Sequence, residues 1–144
     1  MKTTVPFPVS GFEPEFIAAP GGSRMLIGHY VPMLVFGCLG QIVPERVHAR
    51  IAMKPELIGH YGHQRIHGGV ISAGLDAMGG LALMAAIGAR HMDEAPLQRL
   101  QRFAKLGTID LRVDYLRPGI GDSFELRAEV LRLGSRVAST RMEF

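Results

Sequence analysis

The chain has no tryptophan, and aromatic residues make up only 7% of it. That leaves too few flat side chains for a base-stacking platform. Cysteine occurs once, at Cys38, so no internal disulfide framework is possible, and the chain suits a reducing cytoplasm. No histidine or carboxylate pairing marks Cys38 as a nucleophile, and it reads as a core filler. Lysine is scarce (Lys2, Lys54, Lys105), and arginine carries most of the net charge of +3. A mild excess of this kind suits a small anionic ligand but lacks the dense basic patch of a nucleic-acid binder. No apolar run follows the first residues, where Pro6 and Pro8 intervene, so no signal peptide is expected. Long apolar runs are also missing, apart from residues 70–89. That stretch approaches membrane-spanning length. Asp76 sits inside it and Gly74, Gly79, Gly80 and Gly88 interrupt it, so no membrane span is expected.

What the chain does have is enough length and apolar content, 144 residues at 47% hydrophobic, for one domain with a sizeable core. Residues 1–22 are rich in proline and glycine and read as loosely ordered, and residues 23–36 are expected to hold a short helix disturbed at Pro32. Residues 39–43 read as a strand, Glu45 and Arg46 as a turn, and residues 47–54 alternate as a half-buried strand does. Residues 55–66 read as a loop. Residues 68–89, free of proline and rich in helix formers, predict a long helix, with a short surface helix over residues 95–103. Three strands are then expected. Ile109, Leu111, Val113 and Tyr115 alternate with charged residues, as do Phe124, Leu126, Ala128 and Val130. The last run places Ala138, Thr140, Met142 and Phe144 on one face. Opposite charges on the polar faces are placed to pair across strands. An antiparallel sheet with one apolar face and a single apolar helix predicts an α+β fold of hot-dog architecture, the sheet wrapped around one long central helix. Residues 1–38 form an N-terminal segment and residues 39–144 the domain.

His67-Gly68-Gly69 and Asp76 are the residues with chemical potential. The first turn of a helix carries backbone N–H groups without intrahelical partners, at the positive end of the macrodipole. Gly68 and Gly69 have no side chains, so a ligand can approach that backbone closely, making an anion site or an oxyanion hole for acyl transfer. Asp76 is a carboxylate within an apolar run, where an uncompensated buried charge costs several kcal/mol. Eight residues separate it from Gly68, roughly 12 Å along the axis at about 1.5 Å per residue. One acyl carbon cannot touch both on one helix, so the spacing points to a site shared across a two-fold interface. His60, His63 and His67 lie at i, i+3 and i+7, a spacing that would bind Zn²⁺ on a helix. The glycines around them indicate a loop, no acid or cysteine completes the set, and no metal is expected.

Taken together, His67-Gly68-Gly69-Val70 with Asp76, the run 108–119 (TIDLRVDYLRPG), Gly121-Asp122 and Leu131-Arg132-Leu133-Gly134 resemble a hot-dog thioesterase of the PaaI type across roughly residues 39–144. The likeness extends to a YigI-like branch of bacterial acyl-CoA thioesterases. The resemblance implies hydrolysis of a medium- or long-chain fatty acyl-CoA, or an aromatic acyl-CoA, by a homodimer or a dimer of dimers, with no cofactor. It implies Asp76 as general base or nucleophile, its pKa lifted in an apolar site. The Gly68 or Gly69 N–H of the other subunit would hold the thioester oxygen, with His67 near that oxygen and Thr108 placing the water. Relatives often carry an asparagine six or seven residues before the His67 position, where this chain has His60 and Tyr61 as possible donors. Arg117, Arg132 and Arg136, with Lys105, are candidates to meet the phosphates of CoA. Relatives also continue into one more strand within the sheet, beyond the point where this chain stops. Two other classes compete. A hot-dog dehydratase needs a His/acid pair on one substrate carbon, which His67 and Asp76 at this spacing do not supply. A non-catalytic acyl-CoA-binding protein would not need Asp76.

Overall fold

Ile71, Leu75, Met78, Ala82 and Ala85 recur at alternating spacings of four and three residues, which aligns them in one stripe along a helix. The computed structural model describes residues 37–43 and 46–144. Within them the stripe becomes the centre of the core. The expected features of residues 1–36 and the turn at Glu45 lie outside the described residues, and Cys38 is described only in its backbone, within β1 (Gly37–Val43).

In chain order the elements are β1 (Gly37–Val43), β2 (Arg46–Ala52), a short hairpin of β3 (Ile58–His60) and β4 (Arg65–Ile66), helix α1 (Gly68–Arg90), helix α2 (Pro96–Phe103), β5 (Ser123–Leu133) and β6 (Ala138–Glu143). Four strands form one antiparallel sheet in the order β1-β2-β5-β6. Alternation dictates which face packs inward. Val47, Ala49 and Ile51 of β2 and Leu126 and Ala128 of β5 are buried, and the register sets Val47 opposite Ala128 and Ala49 opposite Leu126. These residues meet the α1 stripe, and Leu57 and Ile66 from the hairpin region close one end of the cluster. Met78, fully buried at 0% exposure, contributes about 1.5–3 kcal/mol by leaving water. Helix α1 is long and apolar enough to cross a membrane by length and composition alone, but its stripe is the surface on which the sheet packs. The expected hot-dog arrangement of antiparallel sheet and long central helix is the one observed.

The outer face carries the charges. The register sets Arg46 opposite Glu129, Arg50 opposite Glu125 and Glu129 opposite Arg141. Glu125 is engaged by Arg127 at 3.0 Å and by His48 at 3.4 Å. Hydrogen bonding from Arg127, then from His48, holds the Glu125 carboxyl below its ordinary range. The short surface helix is present as α2. Its Phe103 is buried against Met84 in a second apolar cluster, and Arg99 is buried beside Met92.

Two expectations need correction. Residues 55–66, read as a plain loop, contain the β3–β4 hairpin and two single turns of 3₁₀ helix. Residues 109–115, read as a strand, join no sheet, and the chain bends at Ile109. Alternation sets which face a residue takes, whereas a ladder needs a neighbouring backbone about 4.8 Å away. A cavity of about 540 Å³ lies between this segment and β6, lined by residues 105–112 on one side and by Ala138–Thr140 and Met142 on the other. No backbone hydrogen bond among the described residues holds 107–117. Val113 still packs against the core, while Ile109 (82%) and Leu116 (88%) are exposed.

Met78→Ala is expected to lower unfolding stability by about 2–5 kcal/mol in urea denaturation. Leu97→Ala, at an exposed position of α2, is expected to change it by less than about 0.5 kcal/mol.

Candidate active site

The site is built at the N-terminal end and along one flank of α1. His67 is the N-cap, its backbone extended at φ −68° and ψ 133°. Its Nδ1 accepts the Gly69 N–H at 2.9 Å. A neutral imidazole with Nδ1 accepting carries its proton on Nε2. The backbone C=O of His67 takes the N–H groups of Val70 and Ile71. Of the first N–H groups of the helix, that of Gly68 has no acceptor among the described residues. The structure thus separates two glycines that the sequence leaves equivalent: Gly69 is occupied by the cap, and Gly68 is free to donate.

His67 is held in place by a close approach. A Cβ on Gly59 would lie 2.7 Å from the His67 Cα, so only glycine fits there, and the His67 N–H donates to the Leu57 C=O at 2.8 Å. On the other side of the helix end, the Tyr115 hydroxyl donates to the Gly68 C=O at 3.0 Å and also bonds the Ser72 hydroxyl. Ser72 Oγ also lies 3.1 Å from the same carbonyl, so with the Tyr115 proton on that carbonyl the single Ser72 proton is shared between the carbonyl and the Tyr115 oxygen. Tyr115 and Ser72 thereby frame the glycine end of α1, a role their sequence positions do not disclose. The one available clue is that Ser72 lies four residues from both Gly68 and Asp76, on one helical flank.

Asp76 stands two turns further along. It is not enclosed by apolar side chains as its sequence neighbourhood suggests. It is exposed on the helix flank beside the core stripe and lines the 540 Å³ cavity. Thr108 Oγ1 donates to Asp76 Oδ1 at 2.6 Å, and Oδ2 has no hydrogen-bond partner among the described residues. A short charge-assisted bond of this kind fixes a carboxylate rotamer. The Thr108 and Tyr115 contacts together tie residues 108–115 across α1.

The other expected residues are spread out. His60 and Tyr61 are exposed in the hairpin region, Tyr61 at 72%, and the His60 ring stacks on His63 at 4.9 Å. Among the described residues no three His, Cys, Asp or Glu side chains gather as a metal site would require. Arg117 and Arg132 are exposed and line neither cavity beside α1, whereas Arg136 and Lys105 line both. Near the C-terminal end of α1, Arg102 bonds Glu94 through Nε at 2.7 Å and also through Nη2. That bonding holds the Glu94 carboxyl below the ordinary carboxylate range.

A sequence profile of the thioesterase superfamily matches residues 63–144. The medium/long-chain acyl-CoA thioesterase YigI of Escherichia coli (strain K12) is 41% identical over 101 residues, which is 69% of this chain and 65% of that protein. The chain thus spans about 65% of the length of this curated relative. A crystal structure of a protein from Shewanella oneidensis related to the thioesterase superfamily is 39% identical, with a TM-score of 0.69, covering 89% of this chain and 78% of that one. The PaaI protein of the E. coli phenylacetic acid degradation operon shares the fold at 15% identity and a TM-score of 0.56, covering 84% of this chain and 90% of that one.

His67→Ala removes the cap from Gly69 and is expected to cost about 0.5–2 kcal/mol of stability in thermal or urea unfolding. His67→Asn, which keeps a side-chain acceptor at the cap, is expected to recover most of that loss in the same measurement.

Proposed function

The chain belongs to the thioesterase superfamily, and on that footing we propose that it hydrolyses the thioester of a medium- or long-chain acyl-CoA to the free acid and CoA. The observation that carries this reading is the Thr108–Asp76 hydrogen bond of 2.6 Å on the exposed flank of α1. It supplies a positioned carboxylate with one oxygen engaged and one open, as a base for water requires. Water attacks the thioester carbonyl carbon while Asp76 takes its proton. The negative charge that develops on the carbonyl oxygen needs a backbone donor, and the free Gly68 N–H is of the right type. Collapse of the tetrahedral species breaks the C–S bond, and the Asp76 proton passes to the departing thiolate. Direct attack by the Asp76 carboxylate, with water then hydrolysing the anhydride, gives the same products.

Gly68 and Asp76 are too far apart on α1 to serve one carbonyl, so the reading requires a homodimer in which each site takes Gly68 from one chain and Asp76 with Thr108 from the other. The unpaired backbone of residues 107–117 and the exposed Ile109 and Leu116 support a partner on that side. A dimer of dimers is compatible with the same interface. A dehydratase needs an imidazole free to work on a substrate carbon, whereas the Nδ1 of His67 is already engaged by Gly69 at the helix cap. The lone cysteine and modest charge fit a cytoplasmic enzyme without a cofactor.

The test is release of free thiol from acyl-CoAs of increasing chain length. Asp76→Asn is expected to lower kcat by about 10²–10⁴-fold. Thr108→Val is expected to lower it by roughly tenfold or more, the effect of losing a hydrogen bond to a charged group. Undiminished turnover by Asp76→Asn would overturn the assignment.

A further inference from the structure

Sequence alone attributes the missing side chains of Gly68 and Gly69 to the approach of a ligand. The structure fills both places from within the chain. A Cβ on Gly69 would lie 2.9 Å from His67 Nδ1 and 3.1 Å from His67 Cε1, so the capping ring occupies that place. A Cβ on Gly68 would lie 3.3 Å from Tyr115 Cε1 and 3.5 Å from both its Cζ and its hydroxyl oxygen. The tyrosine ring therefore rests against the bare Gly68 backbone. It cannot withdraw without lengthening its own 3.0 Å bond to the Gly68 C=O.

The two rings act on one peptide group. The Gly68 C=O and the Gly69 N–H belong to the same planar unit. Tyr115, with Ser72 beside it, holds the oxygen of that unit, and His67 Nδ1 holds its hydrogen at 2.9 Å. The preceding unit is held at its oxygen, because the His67 C=O accepts from Val70 and Ile71. Between the two units lies the Gly68 Cα, whose φ and ψ have the widest freedom any residue allows. The direction of the free Gly68 N–H depends on those angles. A donor to a developing oxyanion works only if it is in place before the charge appears. A first turn that opens on two glycines lacks that rigidity by itself, and a tether from outside the helix supplies it. We infer that Tyr115 is a positioning residue for the thioester oxygen: seated on Gly68 and bonded to its carbonyl, it locks the start of α1 so that the Gly68 N–H keeps one direction. In this role it touches no reacting atom. Its part in turnover rests on the thioesterase reading, whereas its seat on the helix start stands without that reading.

Two measurements test the inference. Tyr115→Phe keeps the ring and removes the hydroxyl. It is expected to lower kcat for acyl-CoA hydrolysis about three- to tenfold, the range for one neutral hydrogen bond, with KM within about twofold of wild type. Amide exchange at Gly69 is expected to quicken, since the tie at the other end of its peptide group is gone. A KM that rises at unchanged kcat would make Tyr115 a substrate contact and overturn the inference, as would kinetics identical to those of the wild type. The second measurement is a double-mutant cycle read by urea unfolding. Gly68→Ala is expected to lower the midpoint in the wild-type chain, where the added Cβ meets the tethered ring. In Tyr115→Ala it is expected to raise the midpoint, because only the better helix propensity of alanine remains. Should the wild type cleave no thioester, the proposed function fails and the cycle alone decides: a change of sign upholds the lock on the helix start, and equal shifts in the two backgrounds refute it.

Discussion

One helix does two jobs, and the geometry of the rest follows from that. The stripe of α1 from Ile71 to Ala85 must face the sheet, because it is the centre of the only large apolar cluster among the described residues. Once that stripe is fixed, the 3.6-residue period fixes every other flank. Ser72, Asp76 and Gly80 fall beside the stripe, where the sheet does not cover them. Asp76 can therefore be carried by an apolar helix without burying an unpaired charge. The same constraint places the free Gly68 N–H at the helix start, some 12 Å from the carboxylate. A reaction that needs both groups at one carbon must use two helices.

The flank opposite β6 is the second consequence. Residues 109–115 have the alternation of a strand but form no ladder with any described strand. What holds the segment is side-chain chemistry, Thr108 on Asp76 and Tyr115 on the Gly68 carbonyl. The segment thus links both ends of the proposed site, and disturbing it reaches the carboxylate and the helix start together.

Much of this was legible in the sequence. The stripe, the start of the long helix at Gly68, β2, β5 and β6, and the short surface helix follow from period and capping chemistry, which are local. The pairing of Thr108 with Asp76 joins residues 32 apart; the family resemblance marked Thr108 as a site residue, but its hydrogen bond was not derivable from pattern. Tyr115 was visible only as a member of an apolar face. The different fates of Gly68 and Gly69 depend on where the His67 ring turns, and that in turn depends on Gly59, whose missing side chain lets the hairpin press against it. Such contacts are tertiary and leave no periodic trace. The strand expectation at 109–115 failed for a related reason: alternation reports a face, whereas pairing depends on a neighbour.

The central claim is that each site is assembled from two chains, and complementation between two damaged chains tests it most directly. Gly68→Pro removes the proposed donor at a helix position that tolerates proline, and Asp76→Asn removes the base. Each variant alone is expected to be nearly inactive. Unfolded and refolded together in equal amounts, half of the dimers are mixed, and each mixed dimer has one site with both groups intact, so activity is expected to return to about a quarter of the wild-type value. If the mixture, once shown to contain mixed dimers, stays as inactive as its components, Gly68 and Asp76 do not meet across an interface and the account is wrong.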